Sequence, residues 1–198
     1  MEEHGLRRKL AATIVALLAF LVFMTIGVLA VFTDQATVTA NAFTTGTIDI
    51  GVNPTSALVS FTGMMPGDSV TDDLVVTNQP GSGALRYAIS STATDPDSKA
   101  LKDQLALVIK TIDATAPATP CDDFDGTQLY SGDLDSPTGK LVGDSSQGSQ
   151  AGDRSLGTGA GETLCFRVSL PLSTGDAFQN ASTTATFTFD AEQTANNP

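Results

Sequence analysis

Tryptophan is absent from this 198-residue sequence, and histidine occurs once, as His4. A single histidine so close to the start excludes a Ser-His-Asp site, a Cys-His site and an H-E-x-x-H zinc site from the rest of the chain. Carboxylates are abundant, but they lack tryptophan platforms for sugars, and their spacing gives no distinct acid and base pair. The sequence therefore predicts a protein that is not an enzyme.

Basic residues are also scarce, with 10 Lys and Arg against 22 Asp and Glu. Three of the ten are Arg7, Arg8 and Lys9, directly before an uncharged run from Leu10 to Phe32. This run is long enough to cross a hydrocarbon core of about 30 Å as a helix. The preceding cations orient its start toward the cytoplasm. The sequence predicts one N-terminal apolar helix that directs export.

Two interpretations of this helix remain open. Residues 1–30 fit a signal peptide cleaved between Ala30 and Val31, because small or modest side chains precede that bond. The length of the run instead favours an uncleaved membrane anchor, since it exceeds a typical signal-peptide core. Both interpretations place residues 31–198 outside the cell, with the membrane contacted only through the N-terminal segment.

The exported part is strongly acidic, with 20 Asp and Glu against 7 Lys and Arg from residue 31 onward. Such an excess of negative charge repels nucleic acid and anionic membranes and favours solubility or association with cations. We therefore expect no nucleic-acid partner.

Apolar residues in the exported part occur in short runs with period two, separated by turn-forming residues, which predicts one antiparallel β-sandwich or barrel over residues 31–198. The final strand alternates most clearly and predicts Phe187 and Phe189 as central core. One further predicted strand begins at Thr47. Other predicted strands are Ala57–Thr62, Ser69–Asn78, Leu85–Ile89, Leu107–Lys110 and Leu164–Leu170. One short helix is predicted near Leu101 and Leu105. The short turn after Asn78 favours a hairpin between its two flanking strands.

Residues 115–161 are rich in Gly, Ser, Thr, Asp and Pro, and their few apolar residues cannot bury a separate core. The composition predicts a long polar excursion over the surface. Cys121 and Cys165, the only cysteines, favour a disulfide in an oxidising compartment. Because Cys165 alternates with core positions, this bridge is expected to hold the excursion against the outside of a sheet.

The segment from Cys121 to Gly126 is similar in composition to a calcium loop, but it fails as an EF-hand because carboxylates are missing at the first and last positions. An irregular oxygen site for Ca²⁺ stays open as a hypothesis. Its candidate ligands are Asp122, Asp123, Asp125, Asp133 and Asp135.

Four short motifs in order resemble the TasA and camelysin family of biofilm matrix proteins. The motifs are Phe32-Thr33-Asp34, Phe43 to Ile50, Pro66-Gly67-Asp68 before an apolar strand ending at Asn78, and Phe187 to Gln193. The resemblance implies a jelly-roll β-sandwich, secretion into the extracellular matrix or onto the bacterial cell surface, and release by a SipW-type signal peptidase.

The resemblance also implies self-assembly into fibres, in which the N-terminal strand of one subunit completes the sheet of the next. The candidate residues of this assembly strand are Val31, Phe32, Val38 and Phe43. We therefore predict a structural matrix protein. A membrane-anchored or secreted adhesin-like binding module is the alternative. A secreted metallo-endopeptidase, an activity named within the family, is disfavoured by the missing histidines.

The first testable prediction concerns processing. N-terminal sequencing of the exported protein should begin at Val31, because the residues ending at Ala30 fit the signal peptidase. A dominant membrane-bound species that retains Met1 would show that the segment is an anchor.

Overall fold

The computed structural model describes Gly5, Lys9 and residues 13–15, 46–56, 58, 62–115 and 118–197. The chain divides into two compact units, residues 1–44 and 45–198. In the first unit the described residues are helical, and the Thr13 hydroxyl donates to the carbonyl of Lys9 at 2.6 Å. No helix within the described residues is long and apolar enough to cross a membrane. Most of the predicted apolar helix, the cleavage site and the predicted assembly strand lie outside the described residues.

The second unit is almost entirely built from β-strands, as the sequence predicts. The strands are β1 (Ile50–Asn53), β2 (Ser69–Asn78), β3 (Leu85–Ala93), β4 (Ala106–Thr111), β5 (Gln128–Asp133), β6 (Lys140–Val142), β7 (Arg154–Leu156), β8 (Gly161–Ser169) and β9 (Ala185–Gln193). Two short 3₁₀ helices, Leu101–Asp103 and Asp176–Phe178, lie in the connections.

The strands form two antiparallel sheets. The first sheet has the order β1-β2-β8-β4-β5. In the second sheet β3 is central: β9 pairs with β3 along its whole length, while β7 and β6 pair with shorter stretches of β3. Because β9 and the two short strands pair with the same β3 residues, they occupy opposite edges of β3.

Both sheets contribute side chains to one core. Val76, Ile109 and Phe166 from the first sheet are fully buried, as are Tyr87 and Ile89 from the second at 1% exposure. The remaining large buried residues are Leu58, Leu74, Leu85, Leu105, Leu107, Leu134, Leu141, Val142, Leu156, Leu164, Val168 and Leu170. Two antiparallel sheets around one apolar core form a β-sandwich, which confirms the predicted all-β class.

One polar cluster also bridges the two sheets. Glu162 on β8 has the same parity as the core residues Leu164 and Phe166, so its carboxylate points between the sheets. It accepts a hydrogen bond from the Tyr87 hydroxyl at 2.7 Å and binds the guanidinium of Arg154. Burial, followed by the bond to Glu162, raises the pKa of Tyr87 far above its ordinary value. The Glu162 carboxylate therefore obtains its hydrogen-bond and charge partners from the opposite sheet.

The prediction of a polar surface excursion at residues 115–161 is wrong. Strands β5, β6 and β7 lie within this range, and Leu134, Leu141, Val142 and Leu156 join the core. The sequence pattern concealed β6 and β7 because they have only three residues each, too few to display a period of two. It concealed β5 because the two apolar residues of that strand, Leu129 and Tyr130, are adjacent and show no alternation.

The predicted hairpin after Asn78 is also wrong, because β2 and β3 belong to different sheets. The predicted strand from Thr47 begins later, at Ile50. Thr47 makes one parallel bridge to Ser82, and the Asp49 N–H donates to the Ser82 hydroxyl at 3.1 Å. The predicted strand at 57–62 lies mostly outside the described residues.

Asn78 joins three segments at the end of β2. This residue is fully buried, and its side-chain amide donates to the carbonyls of Gly83 at 2.9 Å, Gly157 at 3.0 Å and Leu156 at 3.3 Å. It therefore ties the crossing between the sheets to the turn that follows β7.

Replacing this amide tests its contribution to stability. Asn78→Ala should lower the free energy of unfolding by about 2 kcal/mol, because it leaves buried carbonyls without a donor. Urea denaturation followed by circular dichroism measures the change. Thr77→Ala, one position earlier and only half-buried, is the control and should cost much less. Equal losses at the two positions would contradict the role of the amide.

Candidate functional site: the free edge of strand β9

Strand β9 presents two different faces. Thr186, Thr188 and Asp190 are exposed, whereas Phe187 and Phe189 are half-buried and pack against the core. The centre of the Phe187 ring lies 5.2 Å from that of Phe166, on the opposite sheet, and the Phe189 ring lies 6.1 Å from Tyr87. These separations are typical of interacting aromatic pairs.

The prediction that Phe187 and Phe189 are central core is wrong. Both rings face the core, as the alternation requires, but they lie on an edge strand and stay half-buried. Alternation identifies the face of a sheet, whereas strand order decides whether a position lies at the centre or at the edge.

The backbone of β9 has one unpaired side in the part of the chain that the structure describes. The Thr94 N–H donates to the Thr184 carbonyl at 3.0 Å, and the Thr194 N–H donates to the Ala84 carbonyl at 3.1 Å. Both bonds continue the β3–β9 register. Hydrogen-bonded pairs alternate along an antiparallel ladder, so the even-numbered residues of β9 bond to β3.

The odd-numbered residues therefore direct their backbone N–H and C=O groups to the other edge. They are Ala185, Phe187, Phe189, Ala191 and Gln193. Within the described residues no strand pairs with this edge. Four of these five residues, all except the exposed Gln193, also pack apolar side chains against the core.

Natural edge strands are usually short, bulged, or protected by lysine or proline. Strand β9 has nine residues, contains neither lysine nor proline, and pairs with β3 without a register shift. This edge is therefore a suitable template for the addition of another strand.

Polar contacts hold the carboxyl end of β9 in place. Arg86, only 7% exposed, donates from Nε to Glu192 Oε1 at 2.6 Å and also binds the Asn197 carbonyl. The bond from Arg86 is the largest of several contacts that lower the pKa of Glu192. A shallow cavity beside this pair, lined in part by Asp144 and Asp190, measures about 40 Å³. Such a cavity has room only for a few water molecules.

The structure does not assemble the five candidate calcium ligands into one site. Asp125 accepts hydrogen bonds from the Thr115 hydroxyl and the Ala114 N–H, both at 2.7 Å, and the bond from Thr115, followed by that from Ala114, lowers the pKa of Asp125. Asp135 binds Lys102 at 2.9 Å. Asp122, Asp123 and Asp133 are exposed. Among all described residues, no three His, Cys, Asp or Glu side chains converge on a possible metal position.

The disulfide segment instead contains a buried carboxylate that the sequence analysis missed. Asp113 is 1% exposed and accepts hydrogen bonds from the backbone N–H groups of Asp123 at 2.8 Å and Asp125 at 3.1 Å. Nothing in the local sequence distinguishes Asp113 from the neighbouring aspartates, because its burial depends on how the loop folds back.

Cys121 and Cys165 form a disulfide, with the two sulfur atoms 2.02 Å apart. Cys165 is fully buried, and nearby the guanidinium of Arg167 lies 3.8 Å from the centre of the buried Phe124 ring. The bridge and this cation–π contact hold the loop around residues 113–125 against the outer face of the first sheet, where the sequence predicted it.

Removing the bridge should weaken the fold. Cys121→Ala combined with Cys165→Ala should lower the free energy of unfolding by about 4 kcal/mol, since the bond closes a loop of roughly 45 residues. Denaturant titration measures the loss, and unreduced peptide mapping of the unaltered protein should link the two cysteine peptides. Two freely alkylated thiols in the folded protein would contradict the bridge.

Comparison with known proteins gives one family. The family model described as camelysin metallo-endopeptidase matches residues 5–104, half of the chain. A search of curated proteins returns no match. The matched part contains β1, β2 and β3 and ends before β4, so the β9 edge lies outside it.

Proposed function

Because the chain belongs to the TasA and camelysin family, we propose that it is a secreted structural protein whose subunits join into extracellular fibres through the free edge of β9. A SipW-type signal peptidase releases the mature chain, and the principal partner is another copy of the same protein. The acidic surface of the exported part supports this proposal, since it favours solubility outside the cell before assembly.

The observation that carries the proposal is the unprotected edge of β9. A strand added there would bond to the backbone of five odd-numbered residues and would cover the half-buried rings of Phe187 and Phe189. Backbone bonds supply the affinity of such an addition, and alternate side chains supply its specificity. At the edge of β9 the same added strand would make both the backbone hydrogen bonds and the side-chain contacts.

The proposed donor is Val31 to Phe43, which precedes the sandwich unit. Its threonine and β-branched residues suit an extended strand. Phe32 and Val38 are an even number of positions apart, so in a strand both side chains point to one face. In the proposed fibre, these two side chains face the core of the next subunit.

We also propose that the sandwich is of the jelly-roll type. Its support is the order of the first sheet, in which the late strand β8 lies between the early strands β2 and β4. The connections from β2 to β3 and from β8 to β9 each pass from one sheet to the other.

The family name includes an enzymatic activity, but the residues that the structure describes do not fit a metallopeptidase centre. The sequence has one histidine, and the described residues bring together no three metal-ligating side chains. A peptidase zinc site needs about three such ligands around an open position. We therefore propose a structural role without proteolytic activity.

Deleting the donor tests the proposal. Mature protein without Val31 to Ala40 should not elongate, while its thermal unfolding should stay nearly unchanged, because the sandwich begins later in the chain. Light scattering and electron microscopy detect elongation. Equal polymerisation of the truncated and complete proteins, or a complete protein that stays monomeric at high concentration and acidic pH, would refute strand exchange.

Blocking the acceptor edge is the complementary test. Ala191→Pro removes an N–H that points to the free edge and leaves the bonds to β3 in place, so the folded variant should elongate at least tenfold more slowly. Ala191→Ser keeps the N–H and is the matched control. A proline variant that elongates like the serine variant would exclude β9 as the acceptor.

A further inference from the structure

Large apolar side chains are exposed at only three positions in the described part of the sandwich unit. Leu172 is 81% exposed, Met65 is 67% exposed and Ile48 is 36% exposed. Scattered single apolar residues on a surface need no explanation. These three, however, are divided between the two opposite ends of the sandwich.

Met65 and Leu172 lie together at one end. The Gly67 N–H donates to the Leu170 carbonyl at 2.8 Å, and the Leu170 N–H donates to the Asp68 carbonyl at 3.0 Å. A Cβ atom placed on Gly67 would lie 3.4 Å from Leu172 Cδ1. We call Met65, Leu172 and the two turns that carry them the apolar tip.

Ile48 lies at the other end, where the chain enters the sandwich. The Gly83 N–H donates to the Thr47 carbonyl at 3.1 Å, and Ile48 Cδ1 lies 3.7 Å from the position of a Cβ on Gly83. We call Thr47, Ile48 and Gly83 the entry end. Strand β2 runs between the two ends with ten residues, which corresponds to about 30 Å.

We propose that the entry end of one copy of this protein docks on the apolar tip of the next copy. This inference rests on the proposed function and specifies a second contact between the fibre subunits. The two patches differ and lie on opposite ends, so each contact leaves one entry end and one tip free. Such a heterologous contact repeats along a line without closing.

Strand addition would bring these two ends together. Neighbouring strands in the second sheet are antiparallel. A donor strand added antiparallel to β9 would therefore end beside Ala185, where β9 begins. Strand β3 begins two residues after Gly83 of the entry end and runs for nine residues, so its last residue, Ala93, and the paired Ala185 lie toward the opposite end, which carries the apolar tip. The donor chain then continues within a few residues into its own entry end.

The contact also explains why solvent-exposed apolar side chains occur at these two ends. Ile48 of one copy and Met65 with Leu172 of the next would shield one another from water. The tip therefore takes a second copy of this chain through an apolar partner surface.

Complementary variants of the full mature chain test the proposal. Met65→Ser with Leu172→Ser alters the tip, and Ile48→Ser alters the entry end. Each variant alone should elongate only at a critical concentration about tenfold higher or more, as the loss of a buried apolar contact requires. Val108→Ser, on the outer face of β4 away from both ends, is the control and should elongate normally.

Mixing the two variants is the sharper measurement. The tip variant keeps an intact entry end, and the Ile48→Ser variant keeps an intact tip. One molecule of each can therefore make the end contact, so the mixture should form dimers at concentrations where each variant alone is monomeric. Sedimentation velocity distinguishes these species. A mixture no more associated than its components, or variants that elongate like the Val108→Ser control, would overturn the end contact.

The Ala191→Pro variant separates this contact from strand addition. With the β9 edge blocked, weak concentration-dependent association should persist and should disappear when Met65→Ser and Leu172→Ser are added. Weak association that persists in the Ala191→Pro variant and requires Met65 and Leu172 supports the end contact even if strand addition fails. A blocked variant that stays monomeric at millimolar concentration would overturn the end contact even if the unaltered protein forms fibres.

Discussion

An antiparallel strand directs its side chains to the two faces of a sheet and its backbone groups to the two edges, and the sandwich depends on how both are satisfied. Strand β3 meets both requirements, because β9 occupies one edge and β6 with β7 occupy the other. Strand β9 pairs its backbone groups along only one of its two edges within the described residues. Ala185, Phe187, Phe189 and Ala191 pack partly covered side chains against the core, and no strand among the described residues pairs with their outward backbone groups.

Buried polar groups hold the remaining elements in position around this core. Asn78 joins the end of β2 to two turns, Glu162 is bound by Tyr87 and Arg154 of the opposite sheet, and Asp113 orders the loop that carries Cys121. Each of these groups would be costly to bury without its partners. The sandwich is therefore fixed by polar contacts at its periphery as well as by its apolar interior.

Sequence reasoning was most successful where a single strand is long. The apolar residues of Ser69–Asn78, which follow a turn, predicted β2, and the alternation in the final strand predicted β9, because its nine residues display the period clearly. It failed for β6 and β7, whose three residues each are defined by pairing with β3 and not by local pattern. It also joined β2 and β3 in one sheet, since a short turn does not reveal whether the chain crosses to another layer.

The amino-acid sequence by itself determined the all-β class, the family, the acidic composition and the pairing of the only two cysteines. Each of these depends on composition or on contacts along one strand. The tertiary structure decided that β9 is an edge strand, that Asp113 is buried, and that Met65 and Leu172 lie on neighbouring turns at the end opposite Ile48. These features depend on which distant segments become neighbours, and a local period of two carries no information about strand order.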